Sequence, residues 1–460
     1  MRITILGHAS LFFETNGERL LVDPILRTTP LLGELIHQYP RTFELDRMPR
    51  PTFIVVTHSH FDHFDHETLA MLPHNVPILI PPDSKMRRKL SNMGFSDIIS
   101  LKPWESFQRA DFRIIATPSD APVTELGLLV QTNKGQFWHM SDAEPPPNTS
   151  TQILSEYGPV AVVSTKFQPA DPQLNFQHNM GSSFDRRAVA DWLETACKCG
   201  PTLAFPYASG LCFSKKKDRL NRYAYPYSAE LVADLLGKRL AGIGKAAILR
   251  PGDVISIHNG RAGIQQQTSP FVRQLEPEHR VDWEPFVDEC LLEPTHDRPP
   301  RSAEAEFERI LLQGEFASWL HKNSIGETAL LKPFCEWSVL YQIVIHFEGG
   351  KRVYFHVDFT RVPQEPRSGR ASLATYFTHI GADALWRLLA GLVTPLELMI
   401  EGSVFIHERI IALRNGHLEA PSTTRLYDHF FDPLLFFGGK RGRTSSQLPL
   451  KSQTAHTKSD

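Results

Sequence analysis

Short apolar segments separated by polar turns fill the first half of the chain. They are rich in β-branched and aromatic residues, and their short length is typical of strands rather than of helices. The two segments on either side of Thr132-Asn133-Lys134-Gly135 predict a β-hairpin. The predicted strands cover residues 2–6, 10–14, 19–22, 53–56, 77–80, 112–116, 126–131, 135–140, 160–164, 202–205 and 247–249.

A helix is predicted at residues 65–72, directly after a histidine-rich turn. Asp65 can accept hydrogen bonds from the first free backbone N–H groups, and Glu67 lies near the positive end of the helix dipole. Leu69 contributes to an apolar side, and Pro73 ends the helix. The turn is therefore expected to lie between a buried strand and a capped helix.

The composition changes after the strand-rich part. A polar stretch rich in Pro, Glu, Asp and Arg precedes a second set of apolar segments, with a predicted helix at residues 304–312, a strand pair at 341–347 and 351–359, and an apolar helix at 381–392. The last residues are basic and poor in large apolar groups. The predicted domains are residues 1–265, a connector at 266–302, a smaller α+β domain at 303–438 and a disordered tail at 439–460.

The overall charge is close to neutral. The chain has 460 residues, of which 41% are hydrophobic, and a formal net charge of −2. This balance predicts no general attraction to nucleic acid or to anionic membranes. No segment reaches the roughly 18 apolar residues that span a bilayer, and the first residues lack the apolar core of a secretory signal. We expect a cytoplasmic protein that acts on a small-molecule substrate, with neither nucleic acid nor membrane as a partner.

The turn after residues 53–56 carries four potential metal ligands, His58, His60, Asp62 and His63. In an extended segment the side chains of His58 and His60 leave on the same side, because the period of a strand is two. Neutral imidazoles and carboxylates bind zinc, iron or manganese, and four such groups in one turn can serve two ions. The alternative interpretation is a polar loop that carries histidines without binding metal. It does not explain why four potential ligands lie together between a strand and a helix.

Further ligands are expected at other strand ends. Asp142 follows a predicted strand, and its two oxygens can bridge two cations, although an aspartate here can also cap a turn. Asp120 also follows a strand, and His178 lies in a loop where ligation and a surface role are both open. His8 and Asp23 are expected to orient the ligands rather than to bind metal. The predicted metal ligands are His58, His60, Asp62, His63, Asp120, Asp142 and His178.

The chain resembles the metallo-β-lactamase superfamily in four motifs, Gly7-His8-Ala9, Val22-Asp23-Pro24, His58-Ser59-His60-Phe61-Asp62-His63 and Ser141-Asp142. The resemblance implies an α/β fold, an αββα sandwich with a one- or two-metal site at one edge, followed here by a smaller C-terminal α+β domain. It implies less about the reaction, because the superfamily contains zinc hydrolases, flavodi-iron proteins and oxygenases.

A narrower resemblance concerns two strand ends at which most hydrolases of the superfamily carry a further histidine. This chain has Ser119-Asp120 at the first and Tyr207-Ala208-Ser209 at the second. With Tyr354-Phe355-His356 in the C-terminal unit, these features are similar to the catalytic region of cytidine monophosphate-N-acetylneuraminate hydroxylase and to di-iron monooxygenases of metallo-β-lactamase fold. The resemblance implies a non-haem oxygenase with two iron ions and O2 as co-substrate, in which Asp62 and Asp142 are the catalytic residues.

The leading prediction is therefore a monooxygenase that hydroxylates a C–H bond of a small-molecule or carrier-linked biosynthetic intermediate. The Cys-x-His and Cys-x-x-His pair of a Rieske cluster is missing from the sequence, so the electrons are expected from a separate electron-donor protein. The alternative is a zinc-dependent hydrolase of an ester, amide or phosphodiester, which uses metal-activated water. A metal-stabilised binding protein without turnover is a third alternative, which an open site at a sheet edge disfavours.

Overall fold

The computed structural model describes residues 1–31, 35–168, 186–213, 221, 227–276, 301–326, 328–361, 364–394, 397–398 and 403–419. These residues form two compact units. The first contains the described residues up to 276 together with Leu413–Glu419, and the second contains those from 301 to Ala412.

The first unit is built from short strands and a few helices. Its strands are β1 (Arg2–Gly7), β2 (Ser10–Thr15), β3 (Glu18–Val22), β4 (Leu35–His37), β5 (Arg41–Phe43), β6 (Phe53–Val55), β7 (Ile78–Ile80), β8 (Ile98–Ser100), β9 (Ser106–Arg109), β10 (Phe112–Thr117), β11 (Gly127–Thr132), β12 (Gly135–His139), β13 (Val162–Thr165), β14 (Leu203–Pro206), β15 (Leu211–Phe213), β16 (Lys245–Ala246), β17 (Val254–His258), β18 (Arg261–Gln265) and β19 (Val272–Gln274). Its helices are α1 (His66–Met71), α2 (Ser84–Asn92), α3 (Thr149–Tyr157), α4 (Arg186–Lys198) and α5 (Ala229–Arg239), with a 3-10 turn at Leu45–Arg47.

Two large sheets face each other across a shared core. The first has the strand order β18-β17-β1-β2-β3-β6-β7-β8 and the second the order β16-β14-β13-β12-β11-β10-β9, while β4 pairs with β15 and β5 with β19. Ile3, Ile5 and Phe13 of the first sheet belong to the same buried cluster as Phe137 and Phe205 of the second. The rings of Phe13 and Phe137 meet edge to face at 5.3 Å.

Helices cover the outer faces of both sheets. Because alternate residues of a strand point to opposite faces, Ile54 of β6 and Ile78 of β7 point away from the shared core and are buried with Leu69 of α1 and Leu90 of α2. On the other side α4 contacts β13 and α5 contacts β14. The order helix, sheet, sheet, helix confirms the predicted αββα sandwich and its α/β fold class.

The parallel strands of both sheets place polar residues at their carboxyl ends. In the first sheet β3 and β6 are parallel, and in the second β12, β13 and β14 are parallel. Asp23 follows β3, Thr57 follows β6, Asp142 follows β12 and Tyr207 follows β14. Ligands commonly bind beyond the carboxyl ends of parallel strands, so this edge is where a functional site is expected.

Most predicted strands of the first unit are observed, and the hairpin of β11 and β12 is confirmed. The helix after the histidine-rich turn is also confirmed, since Asp65 caps α1 by accepting from the backbone N–H of Thr68. The predicted strand at residues 247–249 is wrong, because the pairing with β14 is made by Lys245–Ala246. Several further strands were not predicted, and most of them are short or carry exposed polar residues; they are β4, β5, β8, β9, β15, β17, β18 and β19.

The second unit contains a five-stranded sheet with the order β22-β21-β20-β23-β24. The predicted strand pair around Glu348-Gly349-Gly350 is confirmed as the antiparallel hairpin of β20 and β21. The predicted apolar helix is shorter than expected. The elements are α6 (Arg301–Leu312), α7 (Glu315–Gly326), α8 (Thr328–Glu336), β20 (Leu340–His346), β21 (Arg352–Asp358), β22 (Pro366–Ser368), β23 (Tyr376–Gly381), α9 (Ala382–Leu389) and β24 (Val404–Glu408), with a 3-10 turn at Glu348–Gly350. The strands β25 (Ala412–Arg414) and β26 (His417–Glu419) follow, and from Leu413 onwards they belong to the first unit.

The predicted tail at residues 439–460 and most of the predicted connector lie outside the described residues. No helix in the described part of the chain combines the length and the apolar character that crossing a membrane requires.

Candidate metal centre

Four non-glycine residues with positive φ angles follow strands at one edge of the sandwich. They are His8 (φ 52°) after β1, Asp23 (φ 43°) after β3, Ser141 (φ 53°) after β12 and Ala208 (φ 63°) after β14. Residues other than glycine rarely adopt this conformation, and where they do, the surrounding structure must enforce it. The sharp turns at this edge bring together polar side chains that the sequence analysis predicted to form the site.

His58, His63 and Asp142 form the first of two groups of potential ligands. Nε2 of His63 lies 3.4 Å from Oδ2 of Asp142, and Nε2 of His58 lies 4.0 Å from the same oxygen. His60 adds a third imidazole, because its Nδ1 lies 2.9 Å from Nε2 of His58. Both His58 and His63 are buried, whereas Asp142 is half-buried.

His8, Asp62 and His63 form the second group. Nε2 of His8 lies 3.3 Å from Oδ2 of Asp62, and the rings of His8 and His63 lie 5.1 Å apart. Since His63 belongs to both groups, the two groups form one continuous centre.

Asp23 is the fully buried carboxylate that holds this centre together. Its Oδ1 accepts from the backbone N–H of Thr57 at 2.7 Å. Its Oδ2 accepts from the Thr57 hydroxyl at 2.7 Å, from Nδ1 of His63 at 2.9 Å and from the Ser141 hydroxyl at 3.1 Å. Hydrogen bonds to an ionised acceptor are stronger than neutral ones, so Asp23 ties together residues from two sheets.

This network assigns the protons of the two buried histidines. His63 donates from Nδ1 to Asp23, which leaves the lone pair of Nε2 facing Asp142. The Thr57 hydroxyl donates to Asp23, so Nδ1 of His58, at 3.1 Å from Thr57 Oγ1, is the donor of that contact. Both residues therefore present an Nε2 lone pair to the centre, as metal-binding histidines do.

His8 has the opposite arrangement. Its Nδ1 accepts from the backbone N–H of Gly210 at 3.1 Å, so the ring proton lies on Nε2 and faces Asp62. Burial opposes an ionised Asp62, but the contacts with His8 and His63 hold the pKa of Asp62 below its usual range. His8 is thus placed to orient Asp62 rather than to bind metal.

These residues fit a metal centre. Nε2 of His63 and Oδ1 of Asp142 are buried without a well-aligned hydrogen-bond partner. Ligand atoms at about 2.1 Å from one ion lie roughly 3.0–3.4 Å apart, which is the spacing seen between His58 and His60 and between His63 and Asp142. Without a cation, Nε2 of His63 would need a proton in order to face the carboxylate oxygen of Asp142.

The electrostatics also favour a positive charge at this place. Burial opposes a charged His63, but Asp142 and Asp23 outweigh it and raise the pKa of His63 well above its usual value. Burial likewise opposes an ionised Asp142, yet His63 and His58 hold the pKa of Asp142 far below its usual range. Burial and His63 lower the pKa of His58 to about 3, so this imidazole is neutral and free to ligate.

One predicted ligand, Asp120, lies outside both groups of potential ligands, and a second, His178, lies outside the described residues. Asp120 is exposed and belongs to neither group, and its backbone N–H donates to the carbonyl of Glu144 at 2.8 Å. His178 lies outside the described residues, so its ligation stays a prediction. His8 and Asp23 occupy the orienting positions described above.

Glu125 is a carboxylate that the sequence analysis missed. It is buried, and Oε1 accepts from the Ser119 hydroxyl at 2.6 Å. Burial raises the pKa of Glu125, and the charge of Asp142 adds to this, but Glu125 belongs to neither group of potential ligands. Reasoning from the ends of strands overlooks it, because Glu125 precedes β11 rather than following a strand.

His139 is a second residue that the sequence analysis missed. It is fully buried at the end of β12, with Nδ1 2.7 Å from Ser164 Oγ and with Nε2 lacking a hydrogen-bond partner. Burial lowers the pKa of His139 to about 4, so it is neutral at physiological pH. The sequence analysis did not single out His139, because it lies within an apolar strand.

Replacing His139 by glutamine is expected to flatten the pH dependence of the stability of the metal-free protein. In the unfolded chain His139 takes up a proton near pH 6.5. In the folded protein it stays neutral until the pH falls to about 4. The stability contributed by neutral His139 is therefore complete above pH 6.5 and is lost as the pH falls towards 4, by at most about 1.4 kcal/mol per pH unit. Urea unfolding of the chelator-treated protein across this pH range measures the slope.

The matched control for this experiment is His258→Gln, at an exposed histidine. Its slope should equal that of the unmodified chain. Parallel slopes for His139→Gln and the unmodified chain would show that His139 titrates alike in the folded and unfolded states.

Comparisons with known proteins match a large part of this chain to a metallo-β-lactamase-type domain and to a relative named as a metal-dependent hydrolase. A family model described as a beta-lactamase superfamily domain matches residues 18–205. A metal-dependent hydrolase from Exiguobacterium is 37% identical over 209 residues, which are 42% of this chain and 82% of that relative.

Two other relatives carry oxidative or redox names. A protein of Mycolicibacterium smegmatis named as a Rieske 2Fe-2S iron-sulfur protein is 27% identical over 234 residues, which are 46% of this chain and 44% of that relative. A 4-amino-L-phenylalanyl-(CmlP-peptidyl-carrier-protein) 3-hydroxylase of Streptomyces venezuelae is 26% identical over 172 residues, which are 34% of this chain and 32% of the hydroxylase. The match covers less than half the length of both of these proteins.

Proposed function

This chain belongs to the metallo-β-lactamase superfamily, and on that premise we propose that it is a non-haem di-iron monooxygenase. It would hydroxylate a C–H bond of a small biosynthetic intermediate with O2 and an external reductant. The observation that carries the proposal is the donor set, in which the carboxylates of Asp62 and Asp142 accompany the histidines of the turn. Such a mixture of imidazoles and hard oxygen ligands suits iron. The hydroxylase from Streptomyces supports the same reaction class.

The chain's own residues have distinct tasks in this proposal. His58, His60 and Asp142 would hold one ion, and Asp62, His63 and Asp142 would hold the other. When bound, two redox-active iron ions would supply the activation of dioxygen that C–H hydroxylation requires.

Residues around the ligands fix their orientation. Asp23 keeps the proton of His63 on Nδ1, and His8 faces Asp62 with its Nε2 proton. Such partners hold ligands in place before metal arrives, which preserves an open position for substrate. The electrons would come from a separate donor protein, because the 460 residues contain no pair of Rieske motifs.

A zinc-dependent hydrolase is the second candidate. It is favoured by the relative from Exiguobacterium, which is named as a metal-dependent hydrolase and is matched over 82% of its length. The same ligands would hold zinc, and the centre would then activate water for attack on an ester, amide or phosphodiester.

Metal analysis and oxygen reactivity discriminate between the two candidates. The chain is purified from iron-supplied cells, reduced under anaerobic conditions, freed of reductant and mixed with oxygenated buffer. The oxygenase proposal predicts about two iron ions per chain, a change in near-ultraviolet absorbance on mixing and consumption of oxygen. Asp142→Asn should lose all three, because it removes a ligand charge that both ions share. Asp120→Asn, at the exposed aspartate, should retain them.

Other outcomes would overturn the proposal. A chain that binds zinc alone, consumes no oxygen and cleaves para-nitrophenyl acetate or bis(para-nitrophenyl) phosphate is a hydrolase. A chain that binds metal tightly but is inert in both assays is a binding protein.

A further inference from the structure

Asp142 is the carboxylate that both ions of the proposed centre would share, yet within the described part of the chain no residue outside the centre orients its side chain. Oδ2 faces His63 and His58, and Oδ1 is buried without a hydrogen-bond partner. His63 differs, because Asp23 accepts from its Nδ1 and fixes its ring. The position of the Asp142 carboxylate therefore depends on the backbone of its own turn, residues 141–144.

Glu144 anchors this turn two residues after Asp142. Its backbone N–H donates to the hydroxyl of Ser119 at 2.9 Å, and its carbonyl accepts from the backbone N–H of Asp120 at 2.8 Å. These two bonds fasten the turn to the loop that follows β10. Three prolines follow at residues 145–147, and the fixed φ of each limits the freedom of the chain. A displacement of Glu144 would therefore be passed on to Asp142.

Lys166, which follows β13, holds the side chain of Glu144. Nζ of Lys166 lies 3.1 Å from Oε1 of Glu144 and 4.3 Å from the ring centre of Trp192 on α4. Trp192 is buried, and the side chain of Lys166 is only 13% exposed, so the ammonium group is largely withdrawn from water. Glu144 is 41% exposed, and water screens the pair in part. The ion pair joins the turn of Asp142 to β13 and α4.

Lys166 acts on the centre in two ways, which have opposite signs. Burial opposes an ionised Asp142, and Lys166 is, after His63 and His58, one of the charges that hold the pKa of Asp142 below its usual range. A positive charge whose field reaches the ligands also repels a metal cation. The contact of Lys166 with Glu144 has the opposite effect, because it keeps the shared carboxylate in place. Since Glu144 neutralises much of the field of Lys166, we expect the positional effect to be the larger one.

We propose that Lys166 is a positioning residue of the metal centre, which acts through Glu144 on the location of Asp142. Without the ion pair, the Asp142 carboxylate samples positions from which it does not reach both ions. The entropy lost in ordering it again is then subtracted from the free energy of metal binding. The inference rests on the metal centre of the proposed function, but not on the identity of the metal, because zinc and iron need the same fixed carboxylate.

The zinc affinity of the full chain tests this inference without any turnover. Bound metal is first removed, and zinc affinity is then measured by competition with a chromogenic chelator. Lys166→Met keeps an apolar stem over Trp192 but removes the charge, and it should weaken zinc binding roughly tenfold. Glu144→Gln should weaken zinc binding by a similar factor. The double variant should bind zinc no more weakly than either single variant, because both remove the same contact. Lys166→Arg keeps the charge and should retain most of the affinity.

Arg109→Met is the matched control. Arg109 forms an ion pair with Glu18 at 2.7 Å, and both side chains are partly buried. It lies at the end of β9, next to the start of β10, whereas the centre lies beyond the other end of β10. This variant should bind zinc like the unmodified chain, and urea unfolding of the metal-free variants shows how much stability each of them loses.

Three results would overturn the inference. Tighter zinc binding by Lys166→Met would show that the direct field of the ammonium group dominates. Losses that add up in the double variant would mean that Lys166 does not act through Glu144. An equal loss of zinc affinity in Arg109→Met would reflect general stability. If the zinc results are as expected but the iron-loaded chain consumes no oxygen, only the proposed oxygenase function is wrong.

Discussion

Replacing His63 by alanine is expected to strip one of the two metal ions from the chain and to abolish any turnover that requires the pair. His63 is the only residue that belongs to both groups of potential ligands found among the described residues, and its Nε2 faces Asp142 while its Nδ1 donates to Asp23. A four-ligand site worth about 12 kcal/mol gives each ligand about 3 kcal/mol, or roughly two orders of magnitude in affinity. Competition with a chromogenic chelator measures this loss, and elemental analysis after dialysis counts the ions that remain.

The control is His66→Ala, a histidine three residues further on that is exposed on α1. It should bind metal like the unmodified chain. His63→Gln preserves more of the buried volume and should also lose metal, which separates ligation from packing. If His63→Ala retained two ions with unchanged affinity, the centre described here would not be the metal site.

Replacing Asp23 by asparagine is expected to reduce both stability and metal affinity. Asn keeps the shape of Asp, but its NH2 group would face the donors of Thr57, Ser141 and His63. Losing one charge-assisted hydrogen bond costs about 1.5–3 kcal/mol, and leaving buried donors unpaired adds to that cost. Loss of the partner that orients a metal-binding histidine typically weakens metal affinity about 10–100-fold. Urea unfolding and chelator competition measure the two effects separately.

Asp253→Asn is the matched control for Asp23→Asn. Asp253 is also buried and accepts backbone N–H groups, from Arg250 at 2.9 Å and from Gln267 at 2.9 Å, but it belongs to neither group of potential ligands. It should lose stability without losing metal affinity. Equal loss of metal affinity in both variants would mean that Asp23 acts through general stability alone.

Local patterns along the chain were sufficient for the elements and for much of the site. Strands such as β1, β2 and β11 contain short apolar runs bounded by polar residues or turns, and a helix cap such as Asp65 acts within a few residues. The histidines of the turn after β6 are likewise neighbours in sequence. Each of these features depends on short-range geometry, so the sequence alone predicts it.

Short or exposed elements were harder to predict. Strands β4 and β5 have three residues each, and β18 is mostly polar, so the pairing partner rather than the residue pattern defines them. The partners of β4 and β5 are β15 and β19, which are distant in sequence. A chain segment of three residues carries too little periodicity to reveal such a pairing.

The sequence by itself determined the fold class, the histidine-rich turn and the carboxylate of Asp142 at a strand end. Only the tertiary structure decided that Asp120 is exposed and Glu125 buried. The physical reason is that burial and charge pairing depend on residues brought together from distant parts of the chain. Thr57 after β6 and Ser141 after β12 can both donate to Asp23 only when the two sheets are packed against each other.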